Sequence, residues 1–160
     1  MPASLVEAVQ LRPLQPEDRA FLYNLYCSTR AGEMALFDWD DMQKQAFLTM
    51  QFNAQHHYYT SQFPNAHFDI LELGNEAIGR LYTDRHQHEI HIIDITLLPG
   101  LRGQGIGGAL LKALLAEAAS TDKCVSIQVE QLNPAMRLYQ RLGFTVVQND
   151  GIYMQMKWHA

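Results

Sequence analysis

The sequence of 160 residues has few cysteines, no excess of positive charge and no long apolar run. Its two cysteines, Cys27 and Cys124, lie far apart and form no CxxC pair, so we predict neither a zinc site nor a disulfide framework and expect both in the core. Acidic residues outnumber basic ones by 17 to 12, and the net charge is −5. This charge balance excludes a broad electrostatic footprint for nucleic acid.

Segments for export or membrane insertion are also missing. No stretch approaches the roughly 20 apolar residues of a membrane span, and residues 1–12 lack the basic and apolar runs of a signal peptide. We therefore expect a cytoplasmic protein without a membrane partner. With 48% hydrophobic and 18% charged residues, residues 1–160 are expected to form a single domain with its own core.

Hydrophobic periodicity divides the chain into alternating groups of strands and helices. A strand is predicted over Val9–Arg12, followed by a helix through Phe21, Leu22, Leu25 and Tyr26 and a second helix over Asp38–Gln55 with Asp38 as N-cap. Three hairpin-connected strands over Phe68–Leu73, Ala77–Tyr82 and Glu89–Leu98 come next. They are followed by a helix over Ile106–Ala119, a strand over Val125–Val129, a helix over Asn133–Leu142, and strands over Phe144–Val147 and Ile152–Met156. This order predicts an α/β (α+β) fold with a mixed sheet and helices on both faces.

The helix near the carboxyl end has clear boundary signals. Asn133 can act as its N-cap, Pro134 fits the first helical position, and Gly143 can adopt the left-handed conformation that ends a helix.

A glycine-rich turn links the third meander strand to the following helix. Gly103, Gly105, Gly107 and Gly108 leave room for backbone N–H groups to converge on an anion at the helix N-terminus, and Arg102 adds a positive charge. A glycine-rich helix start can also serve only to let helix and strand pack closely. Both interpretations fit the turn taken alone.

Other phosphate-binding loops fit this turn less well. A Walker A loop is excluded because no Lys-Ser or Lys-Thr follows the glycines. Gly103, Gly105 and Gly108 match G-x-G-x-x-G, and Glu130 lies near the spacing of a ribose-binding acid. However, a dinucleotide turn follows its strand at once and opens a βαβ unit, whereas here residues 99–102 intervene and a meander comes first. A dinucleotide-binding oxidoreductase is therefore the weakest alternative.

Two motifs in this sequence resemble those of the GNAT acetyltransferases. Arg102, Gly105 and Gly107 occupy the positions of the family's Arg/Gln-x-x-Gly-x-Gly/Ala motif, and residues 133–144 resemble its second signature, Asn followed by Ala, Leu-Tyr and Leu-Gly-Phe. The order of elements, β-α-α-β-β-β-α-β-α-β-β, is also similar over nearly the whole chain. The resemblance implies a centrally splayed sheet of about seven strands and acetyl-CoA as co-substrate, without a metal.

The resemblance also assigns residues to donor binding. The backbone of Ile95, Thr96 and Leu97 is expected to pair with the pantetheine arm where the fourth strand splays from its neighbour. The pyrophosphate is expected on residues 102–108, that is Arg102, Gly103, Gln104, Gly105, Ile106, Gly107 and Gly108. Asn133 and Tyr139 are expected beside the pantetheine and the thiol, although an N-cap role explains Asn133 equally well.

Catalytic roles follow from the same resemblance. Tyr139 corresponds to the family tyrosine that acts as general acid, although packing of its helix against the sheet would also explain a tyrosine here. The N–H of Leu97 is the expected oxyanion donor. His91 stands where many members carry a glutamate base, and its imidazole could take the ammonium proton directly or through water. Water without a dedicated base, or a merely structural His91, remains open. Strand alternation places His91, Ile93, Ile95 and Leu97 on one face and Asp94 and Thr96 on the other, which makes Asp94 a weaker candidate.

The acceptor is not identified by the sequence. The resemblance places it between the second helix, the loop before the second strand and the later strands, a region that contains Glu33, Trp39, Asp40, Gln43, Gln51, Gln55, His56, His57, Tyr58 and Tyr59. The leading prediction is an N-acetyltransferase for a primary amine of a small molecule or peptide. The alternative is a non-catalytic acyl-CoA-binding sensor or scaffold of the same fold. Family members are often homodimers, and no residue establishes this here.

Overall fold

A seven-stranded sheet with the strand order β1-β2-β3-β4-β5-β7-β6 runs through the computed structural model, which describes residues 3–160. The strands are β1 (Val9–Pro13), β2 (His67–Leu73), β3 (Glu76–Arg85), β4 (Glu89–Leu97), β5 (Cys124–Glu130), β6 (Thr145–Asn149) and β7 (Tyr153–Trp158). Strands β4 and β5 are parallel, and the other neighbours are antiparallel. The mixed sheet predicted from the sequence is confirmed.

In the described part of the chain five α-helices accompany the sheet: α1 (Ala3–Ala8), α2 (Arg19–Met34), α3 (Asp41–Gln62), α4 (Ile106–Ser120) and α5 (Met136–Arg141). Helix α1 was not predicted, because six residues are too few for a helical period to show. The other elements occur in the predicted order.

Two predicted helix starts are wrong by a few residues. The N-cap of α3 is Asp40 rather than Asp38, because Asp40 accepts from the Gln43 N–H at 2.7 Å and Gln43 bonds back to the Asp40 N–H at 3.0 Å. Helix α5 begins at Met136, and Asn133 instead caps the turn before it by accepting from the Ala135 N–H at 2.8 Å. At the far end of α5 the prediction is confirmed, since Gly143 has φ +102°.

Helices cover both faces of the sheet and define two apolar clusters. On one face, α4 and the α5 region pack on Leu71, Ile90, Ile92 and Val125. On the other, α2 and α3 pack on Ile70 through a smaller cluster of Leu22, Tyr26 and Phe52. The neighbours Ile70 and Leu71 belong to opposite clusters because side chains alternate along a strand.

The sheet opens between its two parallel strands. The segment Glu89–Ile92 of β4 pairs with Cys124–Ile127 of β5. The pairing ends there, although both strands continue. β5 stays with β7 through Glu130, and β4 stays with β3 through Leu97. The carboxyl-terminal half of β4 therefore faces a gap, as predicted for a centrally splayed sheet.

A β-bulge in β4 changes the faces predicted for its side chains. Asp94 pairs with Tyr82 and Ile92 with Thr83, so Ile93 is an extra residue without a partner on β3. After the bulge, Ile95 packs in the same cluster as Ile90 and Ile92. Asp94 therefore shares a face with His91, and the prediction that they lie on opposite faces is wrong.

The two cysteines are partly buried free thiols rather than fully buried core residues. Among the helices of residues 3–160, none is long and apolar enough to cross a membrane.

Candidate functional site

The glycine-rich turn leads into the N-terminus of the 15-residue helix α4. Gly103 and Gly105 adopt left-handed backbone conformations, with φ +72° and +87°. Gly105 is the N-cap, and the first intrahelical hydrogen bond runs from the Ala109 N–H to its carbonyl at 3.0 Å. The N–H groups of residues 106–108 precede that bond and lack an intrahelical acceptor. Together with the helix dipole they form a seat suited to an anion.

The space around the glycines separates the two interpretations of the turn. A Cβ added at Gly103, Gly105 or Gly107 would meet no atom within 4 Å, whereas one at Gly108 would lie 3.8 Å from Leu138. Close helix–strand packing therefore does not require glycine at the first three positions. Gly103 and Gly105 are explained by their positive φ, but Gly107 is explained by neither packing nor φ. An open surface at Gly107 fits close approach by a ligand.

The polar side chains of the turn brace the protein itself. Gln104 donates through Nε2 to the Gly100 carbonyl at 2.8 Å. Arg102 donates through Nε to the Leu97 carbonyl at 2.9 Å and through Nη2 to the Ser28 hydroxyl at 3.3 Å. The guanidinium thus bonds the end of β4 and helix α2.

Backbone groups of β4 alternate between β3 and the gap. The Leu98 N–H bonds the Ile78 carbonyl at 2.9 Å, and Thr96 pairs with Arg80 two residues earlier. In an antiparallel pair, hydrogen-bonded positions alternate, so Thr96 turns its N–H to β3 while Ile95 and Leu97 turn theirs into the gap. Of the three residues predicted to pair with an extended ligand, Ile95 and Leu97 have the required orientation. Thr96 does not.

Tyr139 lies on α5 and packs edge-on against Phe144, with 5.8 Å between ring centroids. Only 4% of the residue is exposed. Burial, assisted by the negative charge of Asp94, raises the pKa of Tyr139 to about 12. The phenol is therefore protonated at neutral pH, as a proton donor must be.

His91 is half-buried at the other end of β4. Its Nδ1 lies 2.8 Å from the Ser126 hydroxyl, and its ring stacks on Phe63 at a centroid distance of 5.8 Å. Burial lowers the pKa of His91, against the opposing charges of Glu89 and Asp84, so the imidazole is neutral at pH 7. At about 3.3 Å per residue, its Cα lies about 13 Å along the strand from Ile95.

Asp94 holds a polar cluster that the sequence did not reveal. Its carboxylate accepts from Arg80 at 2.7 Å, from the Tyr59 hydroxyl at 3.2 Å and from the Thr96 hydroxyl at 2.5 Å. Arg80 also donates to Gln55 at 2.9 Å. The side chains of Arg80 and Asp94 are only 4% and 13% exposed, so this is a buried ion pair. A single arginine inside the apolar stretch of β3 was the available signal for it.

The predicted acceptor region is only partly brought together. Gln55 and Tyr59 join the Asp94 cluster, and His56 stacks on Phe52. Trp39 stacks on Phe37 and remains 37% exposed, while Asp40 and Gln43 serve as the cap of α3. Glu33 forms an exposed pair with Arg30, and Tyr58 is 56% exposed. Gln51 and His57 also lie on α3, but neither belongs to the Asp94 cluster.

A polar cleft of about 150 Å³ lies on the open part of the sheet, lined by Gln128, Gln148, Asp150, Tyr153 and Gln155. Gln128 follows Ser126 by two residues on β5, so it shares the face on which His91 lies. Within residues 3–160, no group of three or more His, Cys, Asp or Glu side chains could hold a metal ion.

The model of the acetyltransferase (GNAT) family matches residues 33–144. This match covers more than half of the chain and includes β4, the glycine turn, α4 and α5. The chain belongs to the GNAT acetyltransferase family.

Solved structures with this fold include several acetyltransferases. PaiA N-acetyltransferase from Thermoplasma acidophilum, in complex with coenzyme A, is similar with a TM-score of 0.69 and 16% identity over 95% of this chain and 99% of that one. An acetyltransferase from Thermus thermophilus is similar with a TM-score of 0.68 and 17% identity, over 96% of this chain and 97% of that one. A GNAT family acetyltransferase from Elizabethkingia anophelis with acetyl-CoA bound is similar with a TM-score of 0.58 and 17% identity, over 96% of this chain and 99% of that one. At these identities the likeness concerns the fold.

Proposed function

We propose that this protein transfers an acetyl group from acetyl-CoA to a primary amine of a small molecule or peptide. The observation that carries the proposal is a pair of backbone segments with unpaired N–H groups, one on each side of the glycine-rich turn. The gap-facing N–H groups of Ile95 and Leu97 lie at the end of β4, and the free N–H groups of residues 106–108 follow directly after the turn. Such a surface suits a molecule with an amide-rich arm and a pyrophosphate.

The geometry supports direct attack. The neutral amine attacks the thioester carbonyl carbon, a C–N bond forms, and the carbonyl oxygen becomes an oxyanion that the Leu97 N–H can receive, with the Ile95 N–H nearby. The intermediate passes its N–H proton to water and collapses, the C–S bond breaks, and the thiolate takes a proton from the Tyr139 hydroxyl, whose phenolate regains one from water. Tyr139, with a pKa of about 12, is protonated at pH 7, as this role requires.

Removal of the ammonium proton is assigned to His91 acting through water. Its lowered pKa keeps the imidazole in the basic form, and its distance from Ile95 along β4 requires a water-mediated path. Asp94 lies nearer and on the same face, but its carboxylate already accepts three hydrogen bonds. We therefore assign Asp94 to holding α3 on the sheet.

The amine is proposed to approach from the face that carries His91. Over β5 and β7 this face bears the polar cleft of Gln128, Gln155 and Tyr153, which borders the gap. Amide and hydroxyl groups there favour a polar, hydrogen-bonding acceptor.

Calorimetric titration of acetyl-CoA into the wild type and the Gly107→Glu variant tests the donor site. We expect micromolar-range binding to the wild type and its loss in the variant, because the added carboxylate occupies the anion seat. Gly107 has an ordinary φ and open space around it, and a carboxylate in the first helical turn is favourable, so the variant should fold. Gly32→Glu, also in a helix with open space, is the matched control and should bind normally.

Turnover separates the enzyme from a sensor of the same fold. With a panel of amines, we expect CoA release that falls at least about 100-fold in Tyr139→Phe while acetyl-CoA affinity is kept. Binding without turnover on any amine would favour a non-catalytic acyl-CoA sensor. Failure of the wild type to bind acetyl-CoA would contradict both.

A further inference from the structure

Arg102 is the only cation in the turn from Pro99 to Gly108, and its guanidinium bonds the end of β4 and α2. Its Nε–H points back along the chain to the Leu97 carbonyl at 2.9 Å. Its Nη2 reaches the Ser28 hydroxyl on α2 at 3.3 Å, and that hydroxyl donates to the Leu25 carbonyl at 2.6 Å. One side chain thus joins the end of β4, the glycine turn and α2.

The Leu97 carbonyl needs such a partner because of the splayed sheet. Leu97 is in a non-hydrogen-bonded position relative to β3, so its carbonyl and its N–H both point into the gap. β5 supplies no partner there, since its pairing with β4 ends at Ile92 and Ile127. Arg102 satisfies the carbonyl and leaves the N–H groups of Ile95 and Leu97 free.

We propose that Arg102 is a positioning residue that holds the gap-facing edge of β4 in the extended conformation required by the thioester, rather than a ligand of the pyrophosphate. Fixing the Leu97 carbonyl restricts rotation at the end of the strand and keeps the adjacent N–H directed at the substrate carbonyl oxygen. The contact with Ser28 anchors the guanidinium on α2, a rigid element outside the sheet. This inference rests on the proposed acetyl transfer.

Two acetyl donors distinguish positioning from phosphate binding. Acetyl-CoA carries the pyrophosphate, whereas S-acetylpantetheine carries the same thioester and arm without it. If Arg102 positions β4, Arg102→Ala should lower kcat/KM by a similar factor, about tenfold, with both donors, as expected for loss of one charge-assisted hydrogen bond. CoA affinity should change less than about twofold, since the anion seat is made of backbone N–H groups.

A conservative variant provides the rescue. Arg102→Gln removes the charge but keeps an N–H donor, so its kcat/KM should stay within about threefold of the wild type with both donors. A pyrophosphate ligand would instead make Gln as damaging as Ala with acetyl-CoA. Ser28→Ala, which removes only the anchor on α2, should give an intermediate loss with both donors. Melting temperatures of Arg102→Ala and Arg102→Gln should match the wild type, because Arg102 is exposed.

A loss confined to acetyl-CoA, with S-acetylpantetheine unaffected, would overturn the positioning role, and so would unchanged kinetics with both donors. If Arg102→Ala fails to fold, the comparison of Arg102→Gln and Ser28→Ala decides the question. Gly107→Glu identifies a different failure, because it should abolish the use of acetyl-CoA while sparing S-acetylpantetheine. A wild type inactive with both donors would reject the proposed function itself, whatever the state of Arg102.

Discussion

Burial shifts the pKa values of Tyr139 and His91 in opposite directions, and both shifts favour the neutral form. A phenol and an imidazole that are neutral at pH 7 can act as acid and base in one reaction. Both side chains already favour the neutral form at pH 7, and burial strengthens that preference, since Tyr139 packs on Phe144 and His91 on Phe63.

The lowered pKa of His91 predicts a pH dependence of stability. The unfolded chain protonates His91 near its ordinary pKa of 6.5, whereas the folded chain does so only at lower pH. The contribution of neutral, buried His91 to the free energy of unfolding is therefore fully present above pH 6.5. It is lost as the pH falls below that value. Urea unfolding at pH 7.5 and 5.5 should show a smaller loss of unfolding free energy in His91→Gln than in the wild type. His56, whose pKa is also lowered by burial, remains in both proteins and serves as an internal control. An equal loss in both would show that His91 is not desolvated.

Elements end and begin where side chains satisfy the backbone, and α3 illustrates this. Asp38, Asp40 and Asp41 all lie at or just before its first turn, so composition alone does not identify the cap. Asp40 has an extended backbone, ψ 171°, that directs its carboxylate to the Gln43 N–H. Likewise, Asn133 caps a turn rather than a helix because Pro134 and Ala135 form that turn before α5 begins.

The cap of α3 can be measured directly. Asp40→Ala should lower the free energy of unfolding by about 1 kcal/mol, because one N–H of the first turn loses its acceptor. Asp38→Ala, with the same change in charge two residues earlier, should stay within about 0.5 kcal/mol of the wild type. Chemical denaturation of both variants provides the comparison. A larger effect at Asp38 would contradict the capping geometry.

At the scale of the whole molecule, the bulge at Ile93 and the Asp94 cluster connect the sheet to α3. Tyr59 and Gln55 of α3 meet Arg80 of β3 and Asp94 of β4 in one buried network. The network lies beside the unpaired half of β4, so it supports the gap from the face opposite α4.

Removing one partner from this buried ion pair should be costly. Asp94→Asn leaves Arg80 without its carboxylate, and we expect the free energy of unfolding to fall by about 3 kcal/mol. Glu33→Gln breaks the exposed Arg30–Glu33 pair, whose side chains are 31% and 55% exposed, and should cost less than about 0.5 kcal/mol. Thermal and urea unfolding would compare the two. Equal costs would mean that the Arg80–Asp94 pair is solvated.

The sequence by itself determined the order of elements from β1 onward, the mixed sheet, the glycine turn and the left-handed Gly143, because each depends on local periodicity or on the backbone freedom of one residue. It also contained both family motifs around Arg102, Gly105, Gly107 and Tyr139. Only the tertiary structure decided the face of Asp94, since one extra residue in β4 reverses the alternation that follows. The tertiary structure also decided the partners of Arg80 and Arg102. Asp94 and Ser28 lie on elements distant in the chain, and the Leu97 carbonyl is available because β4 and β5 separate.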